Sequence, residues 1–205
     1  MIKTKAYTHI ARLYDLLDLP FEYGRYRPLR QTIWDGLHGR ILDAGVGTGR
    51  NMAYYPAASQ VTGIDLSPAM LRRAIARRQR LKCDVDLHEM DVLATTFAPK
   101  HFDAIVSTFL FCVLADIDQL PALMELRRVI KPDGEVRILE YAYSARPLKR
   151  LIMRLWAPWV KWMYGATFDR RTEQYVEQAG FDLVAQRFLH QDIIKLLVLK
   201  PKPPD

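Results

Sequence analysis

The segment Asp43-Ala-Gly45-Val-Gly47-Thr-Gly49-Arg-Asn51 is where residue types and spacing in this 205-residue chain can do chemistry. Alternating glycines let a backbone turn tightly and bring its N–H groups close to a ligand. A second carboxylate, Asp65, follows 20 positions after Gly45, at the end of the run Gln60-Val-Thr-Gly-Ile-Asp65. A carboxylate in that place accepts hydrogen bonds from a ribose diol. The spacing also separates two nucleotide cofactors. A dinucleotide fingerprint reads G-x-G-x-x-G and seats a pyrophosphate on a helix N-terminus, whereas this chain reads G-x-G-x-G with Arg50 in the sixth place. Asp43 is badly placed beside a pyrophosphate, but well placed to order a turn around a zwitterionic amino-acid moiety and a sulfonium. Together these features favour S-adenosylmethionine over a nicotinamide dinucleotide.

The elements that must hold these residues can be read from periodicity and punctuation. Residues 40–45 form a short buried strand that enters the glycine turn, which leads on toward a helix. Residues 60–65 are the second strand, 85–91 the third, 102–108 the fourth and 135–140 the fifth. Ser67-Pro68 supplies an N-cap and a first-turn proline for a helix running to about residue 80. A further helix covers 118–130, and Lys131-Pro-Asp-Gly134 reads as a turn. Residues 172–179 read as a helix closed by Gly180, followed by an antiparallel pair at 181–189 and 193–200. Ahead of the first strand, Ile2, Ala6, Ile10, Leu13 and Leu17 recur at helical spacing up to Pro20, and 26–37 is a second helical stretch. Strands alternating with helices indicate a doubly wound, parallel α/β sheet. One domain is expected: a helical cap at 1–37, a cofactor-binding core at 38–140, and an acceptor-side lid with a C-terminal hairpin at 141–205.

These motifs resemble those of the class I S-adenosylmethionine-dependent methyltransferases. Val61-Thr-Gly-Ile-Asp65-Leu-Ser-Pro-Ala-Met70, Met90-Asp91-Val92, Phe102-Asp103-Ala-Ile-Val and Leu126-Arg-Arg-Val-Ile-Lys-Pro-Asp-Gly134 match the family in order. The resemblance implies a Rossmann-like seven-stranded sheet whose last strand is antiparallel. It places Gly45, Gly47 and Gly49, within the motif bounded by Asp43 and Asn51, along the methionine and ribose. It places Asp65 at the ribose hydroxyls, Leu66 and Met70 near the adenine, Asp91 at the adenine amino group and Val92 beside the ring. Ser107 and Thr108 would lie near the sulfonium.

The acceptor side is less constrained. Methyltransferases acting on nucleic-acid base amines carry an Asn/Asp-Pro-Pro-aromatic tetrad after the fourth strand. This chain has Ser107-Thr-Phe-Leu-Phe-Cys-Val-Leu, an apolar lip suited to a greasy or small acceptor. Residues 146–164 hold three of the four tryptophans and no acid. Leu148, Leu151, Ile152, Leu155, Trp159 and Trp162 share one helical face, Arg146, Arg150, Arg154 and Lys161 gather on another, and Pro158 should kink the run. Cations opposite Trp and Leu suit an interfacial helix on anionic lipid; a lid packed over the sheet is the structural alternative. The N-terminal pattern around Tyr7, Tyr14-Asp15 and Phe21–Arg27 is similar to the quinone methyltransferases and the bacterial phosphatidylethanolamine N-methyltransferases. Within that similarity, the Gly-Val-Gly-Thr-Gly form and the long Trp-rich insert lean toward a phospholipid head-group amine or a similar lipidic acceptor. A quinone, thiol or other small hydrophobic acceptor is the first alternative, and a catalytically silent S-adenosylmethionine-binding protein that holds lipid or nucleic acid is the second. Candidates to assist loss of a proton from the acceptor are Tyr14, Tyr26, Glu140, Tyr141 and His190.

Composition sets the outer bounds. There are 30 Lys and Arg against 23 Asp and Glu, a formal charge of +7. Eleven of those basic residues lie in two acid-free stretches, 71–82 and 145–165, and the rest of the chain is mildly acidic. The basicity is therefore local, and a nucleic-acid partner is not expected. Half the residues are hydrophobic, which excludes a disordered chain. Cys83 and Cys112 have no C-x-x-C partner, so neither a metal site nor a disulfide is expected. Without an apolar h-region near Met1 or a run of roughly 20 apolar residues, the expectation is a cytoplasmic protein, peripheral on the inner face of the membrane.

Overall fold

The computed structural model describes residues 26–203. The expected cap at 1–37 therefore falls largely outside the described residues, and Tyr14 with it. Among those described, seven strands form one sheet in the order β3-β2-β1-β4-β5-β7-β6. Strands β1 (Arg40–Ala44), β2 (Gln60–Asp65), β3 (Asp86–Glu89), β4 (Phe102–Thr108) and β5 (Ile130–Tyr141) run parallel. Strand β7 (Ile194–Pro201) pairs antiparallel with both β5 and β6 (Phe181–His190). The mixed sheet with its reversed last strand is the architecture expected from the motifs.

Burial explains the central strands. β1 and β4 are covered on both faces, and Ile41, Leu42, Ile105 and Val106 are fully buried. Such continuous apolar runs mark parallel strands sandwiched between helices. One core cluster packs Leu123, Leu126 and Val129 of helix α3 (Asp116–Val129) against Ile105, Ile138 and Phe181. The other packs Ile33 and Trp34 of helix α1 (Arg27–Trp34), and Leu71 and Ala74 of helix α2 (Pro68–Leu81), against Ile41 and Val106. Helix α2 begins as read: the Ser67 hydroxyl accepts the Met70 N–H at 3.4 Å, with Pro68 in the first turn. Arg137 of β5 donates to the carbonyls of Ile33 and Asp35, which pins the C-terminal end of α1 to the sheet.

Four local expectations need correction. The glycine turn leads into a single 3-10 turn, Arg50–Tyr54, and not into a long helix. Lys131–Gly134 is no free turn: β5 runs through it, and the register jumps from Phe102↔Ile130 to Ala104↔Glu135. Asp103 stands opposite this bulge, accepting from the backbone N–H of Arg40 at 2.7 Å and from Lys131. A Cβ on Gly134 would lie 2.7 Å from the Asp103 carbonyl oxygen, so only glycine fits there. The expected helix at 172–179 is one 3-10 turn, Thr172–Tyr175, followed by hydrogen-bonded turns to Gly180. Helix α4 (Pro147–Tyr164) continues through Pro158 without interruption.

Candidate functional site

The glycine turn lies at the C-terminal ends of β1 and β2, where open α/β sheets bind ligands. Gly45, Gly47 and Gly49 all have positive φ, at 80°, 56° and 78°. The N–H groups of Gly45 and Val46 both bond the Ile64 carbonyl, which docks the turn onto β2. Asp65 then ties two loops together, its carboxylate accepting the Gly47 N–H at 2.9 Å and the Ser67 N–H at 2.8 Å. Burial raises the Asp65 carboxyl above its usual range, and those two N–H groups pull it back.

Asp43 and Asn51 sit beneath the turn, both buried. The Asn51 amide donates to both Asp43 oxygens, at 3.1 and 3.0 Å, and to the Thr108 hydroxyl at 3.0 Å. Tyr55 donates its phenol to Asp43 at 2.6 Å, and Arg30 donates to the Asn51 oxygen at 2.7 Å. Burial pushes the Asp43 carboxyl up to about 6 against the opposing pull of Tyr55, Asn51 and the Arg30 charge. This network braces the glycine turn from behind.

A cavity of about 650 Å³ opens in front of it. Gly45, Gly47, Asp65, Leu66, Met70, Asp91, Val92 and Thr108 line one end. Asp43, Gly49, Asn51 and Ser107 do not reach it, although the sequence places them in the same motifs. The other end is aromatic and free of carboxylates: Tyr26, Phe109, Tyr141, Phe168 and His190, with Trp156 and Trp159 of α4 above. The Tyr26 and Tyr141 hydroxyls are 2.7 Å apart. Phe109 stacks on Tyr141 with ring centroids 4.6 Å apart, and Phe168 meets Tyr141 edge-on at 5.5 Å.

Comparison with known proteins gives the family. A methyltransferase-domain family model matches residues 41–134. The chain is 34% identical to the phosphatidylethanolamine N-methyltransferase of Cereibacter sphaeroides over 50% of its length and 51% of that protein. It is 32% identical to a ubiquinone/menaquinone biosynthesis C-methyltransferase of Syntrophotalea carbinolica, over 69% of its length and 62% of that protein. It is 31% identical to the demethylmenaquinone methyltransferase of Thermus thermophilus, covering 73% of this chain and 70% of that one. The chain belongs to the S-adenosylmethionine-dependent methyltransferases. Its matched stretch spans only about half to two-thirds of the first two of these relatives. Among solved structures, the S-adenosylmethionine-dependent methyltransferase SibL superimposes with a TM-score of 0.72 at 18% identity, over 89% of this chain and 56% of that one. The geranyl diphosphate C-methyltransferase of Streptomyces coelicolor, crystallised with S-adenosyl-L-homocysteine, superimposes at 0.69 and 15%, over 85% and 80%.

Within this methyltransferase the candidate proton acceptors separate. Tyr26, Tyr141 and His190 reach the cavity. Glu140 does not: it is fully buried beside Lys195 and Thr172, so it cannot meet an acceptor in the cavity. Arg30 lines the cavity and was missed by the motif reading. Its signal was present, since Tyr26, Arg30 and Ile33 fall at helical i, i+4, i+7 spacing. Tyr55 had no such signal, because only the fold shows that its hydroxyl is needed to satisfy a buried carboxylate. Helix α4 has features of both readings of it. It caps the cavity with Trp156, Trp159 and Val160, yet no residue of it whose side chain is described is buried. Leu148 and Trp162 are each 72% exposed. Lys149 pairs with Asp192 at 3.0 Å and the Arg150 guanidinium lies 5.7 Å from the Tyr143 ring, whereas Arg154 and Lys161 are exposed.

Proposed function

We propose that this chain methylates a lipidic acceptor at an anionic membrane surface, with a phospholipid head-group amine as the substrate. One observation carries the reading: a single cavity joins a polar end built on Gly47, Asp65 and Asp91 to a carboxylate-free aromatic end capped by a helix with an exposed apolar face.

The residues at the polar end fit S-adenosylmethionine. The Asp65 carboxylate has lone pairs beyond those taken by Gly47 and Ser67, enough for a ribose diol. Leu66, Met70 and Val92 offer an apolar slot for an adenine, with Asp91 at its edge to accept from an exocyclic amine. Arg30, which lines the same cavity as Gly45 and Gly47, supplies a cation for the carboxylate of a methionine moiety. When bound, the cofactor supplies an already activated methyl group, so the protein contributes chiefly position and exclusion of water. At the aromatic end, Phe109 and Phe168 hold the acceptor away from water. Tyr26, Tyr141 and His190 are the groups placed to take a proton from an attacking amine.

Helix α4 supports the membrane part of the reading. Leu148, Leu155 and Trp162 stand exposed on the same helix as Arg154 and Lys161, the pattern of an interfacial helix on anionic lipid, which implies a peripheral station on the inner face of the membrane. No helix of the described residues is long and apolar enough to cross a bilayer. A quinone acceptor is the second reading, favoured by the Phe109–Tyr141 stack, which can extend onto a flat ring.

The test is methyl-labelled S-adenosylmethionine with vesicles of phosphatidylethanolamine and phosphatidylglycerol, run beside vesicles carrying a demethylated quinone. Label in the phospholipid fraction is the expected result. Label confined to the quinone moves the assignment to the second reading. Cofactor binding with no transfer to either leaves a silent binding protein.

A further inference from the structure

Beneath the aromatic end of the cavity lies a buried polar cluster that the proposed chemistry leaves unused. Lys195, at the start of β7, is 2% exposed and Glu140, near the end of β5, is fully buried. The Lys195 Nζ stands 3.2 Å from Glu140 Oε1 and 2.5 Å from Glu173 Oε2. The Thr172 hydroxyl stands between two acceptors, 2.7 Å from Glu140 Oε2 and 2.9 Å from Gln119 Oε1, to either of which it can donate its one proton. Gln119 completes the chain by donating from Nε2 to the Phe111 carbonyl at 2.7 Å.

Each end of this chain meets the cavity wall. Phe111 belongs to the 109–114 loop, whose Leu110, Val113 and Leu114 line the cavity. Thr172 ends a strap, residues 165–172, that lines it with Ala166 and Phe168. Loop and strap are laced together: Thr167 donates its N–H to the Cys112 carbonyl at 2.9 Å, and Arg170 donates to the Leu114 carbonyl at 2.9 Å. Tyr141 and Ile194, the chain neighbours of Glu140 and Lys195, line the same wall.

Resting on the methyltransferase reading above, we propose that Glu140, Lys195 and Glu173, acting through Thr172 and Gln119, are positioning residues that hold the loop and strap in the register forming the acceptor wall, without bearing on the cofactor end. A purely apolar core would hold two irregular segments together without fixing their register. A buried donor–acceptor chain holds one arrangement, because slippage would leave charges unpaired in a dry interior. Burial also pushes the Glu140 carboxyl up to about 7 against the pull of Lys195 and Thr172, with Glu173 adding to the rise. The other ionisable groups packed nearby are Cys112, whose thiol burial holds far above its usual range, and Arg170 on the strap. The Glu140 member of the clamp therefore changes charge near neutral pH.

Two variants test this: Glu140→Gln, which keeps the shape and removes the charge, and Thr172→Val, which removes the hydroxyl link and leaves the ion pair. In the wild-type chain the KM for phosphatidylethanolamine vesicles should rise three- to tenfold as pH falls from 8 to 6. Glu140→Gln should show the high KM throughout and a flat profile. Thr172→Val should raise KM but keep the bend. S-adenosyl-L-homocysteine Kd should stay within twofold in both. Amide exchange at pH 7.5 should be at least fivefold faster in the 110–114 and 165–172 segments of both variants, with 45–51 unchanged. An unchanged exchange pattern, a wild-type bend surviving in Glu140→Gln, or a parallel loss of cofactor affinity would each overturn the proposal. A wild-type chain that transfers no methyl group would instead defeat the methyltransferase reading, and the exchange comparison would still decide the clamp.

Discussion

Gly45 and Gly47 share a left-handed backbone but not the same surroundings. A Cβ on Gly45 would sit 3.0 Å from the Leu110 side chain, whereas one on Gly47 would meet nothing closer than 4.0 Å. Left-handed strain costs about 1 kcal/mol for a non-glycine residue. Gly45→Ala should therefore lower both Tm and affinity for S-adenosyl-L-homocysteine, while Gly47→Ala should lower affinity at least tenfold with a Tm loss of only a few degrees. Calorimetric unfolding and titration calorimetry on the two variants separate these outcomes. Asp65→Ala should abolish detectable cofactor binding and leave vesicle association near normal; equal loss of both would indicate general unfolding. Much of this was legible in the sequence, because a glycine turn and a carboxylate 20 residues on are coupled by the length of one crossover between neighbouring parallel strands. The brace of Arg30, Asn51, Asp43, Tyr55 and Thr108 was not, since its members come from separate elements that only packing brings together.

At the scale of elements, helix α4 carries the sharpest expectation. Arg154 and Lys161 stand exposed beside the outward tryptophans, and each cation near an anionic surface is worth about 1 kcal/mol. Arg154→Glu with Lys161→Glu should weaken sedimentation with phosphatidylglycerol vesicles by at least thirtyfold at low salt, with cofactor affinity unchanged. Neutral phosphatidylcholine vesicles should show little difference, and an equal loss on them would defeat the electrostatic part of the reading. Periodicity was enough to find this helix, but it placed its leucines on a buried or lipid-facing side without deciding which. The opposite failure occurred at 172–179, where a helical pattern became a 3-10 turn because Thr172 and Glu173 are drawn toward Gln119, Glu140 and Lys195.

For the whole molecule, carboxyls raised by burial set the pH dependence of stability, Asp43 and Glu140 foremost and Asp65 in the same direction. Asp43 rises from 3.8 to about 6 and Glu140 from 4.5 to about 7. Both are raised by folding, so the folded chain holds protons that the unfolded chain releases between those values. Their contribution is full below the unfolded values and is lost as pH rises through the folded ones. For Asp43 this amounts to on the order of 3 kcal/mol. Asp103, Glu125 and Asp192 are shifted downward and act the other way at more acid pH, and the exposed His101 imidazole, lowered by desolvation and by Arg40 and Lys131, opposes part of the fall below neutrality. Thermal unfolding followed from pH 5 to pH 8 should show Tm falling across that range. A Tm that rises toward pH 8 would contradict the burial of these two groups.

Fold class, the succession of strands along the chain and the cofactor-side motif follow from the sequence by itself, because they rest on local periodicity, turn chemistry and short-range spacing. The +7 charge likewise resolved, along the chain alone, into two basic stretches on a mildly acidic protein. Only the tertiary structure decided which residues face the cavity. It took Glu140 out of the acceptor site and gave it to Lys195, brought Arg30 in, and left the Trp-bearing face of α4 uncovered. The physical reason is common to all three. A side chain's partners are fixed by which distant segments pack beside it, and burial turns the same carboxylate from a solvent-facing base into half of an ion pair.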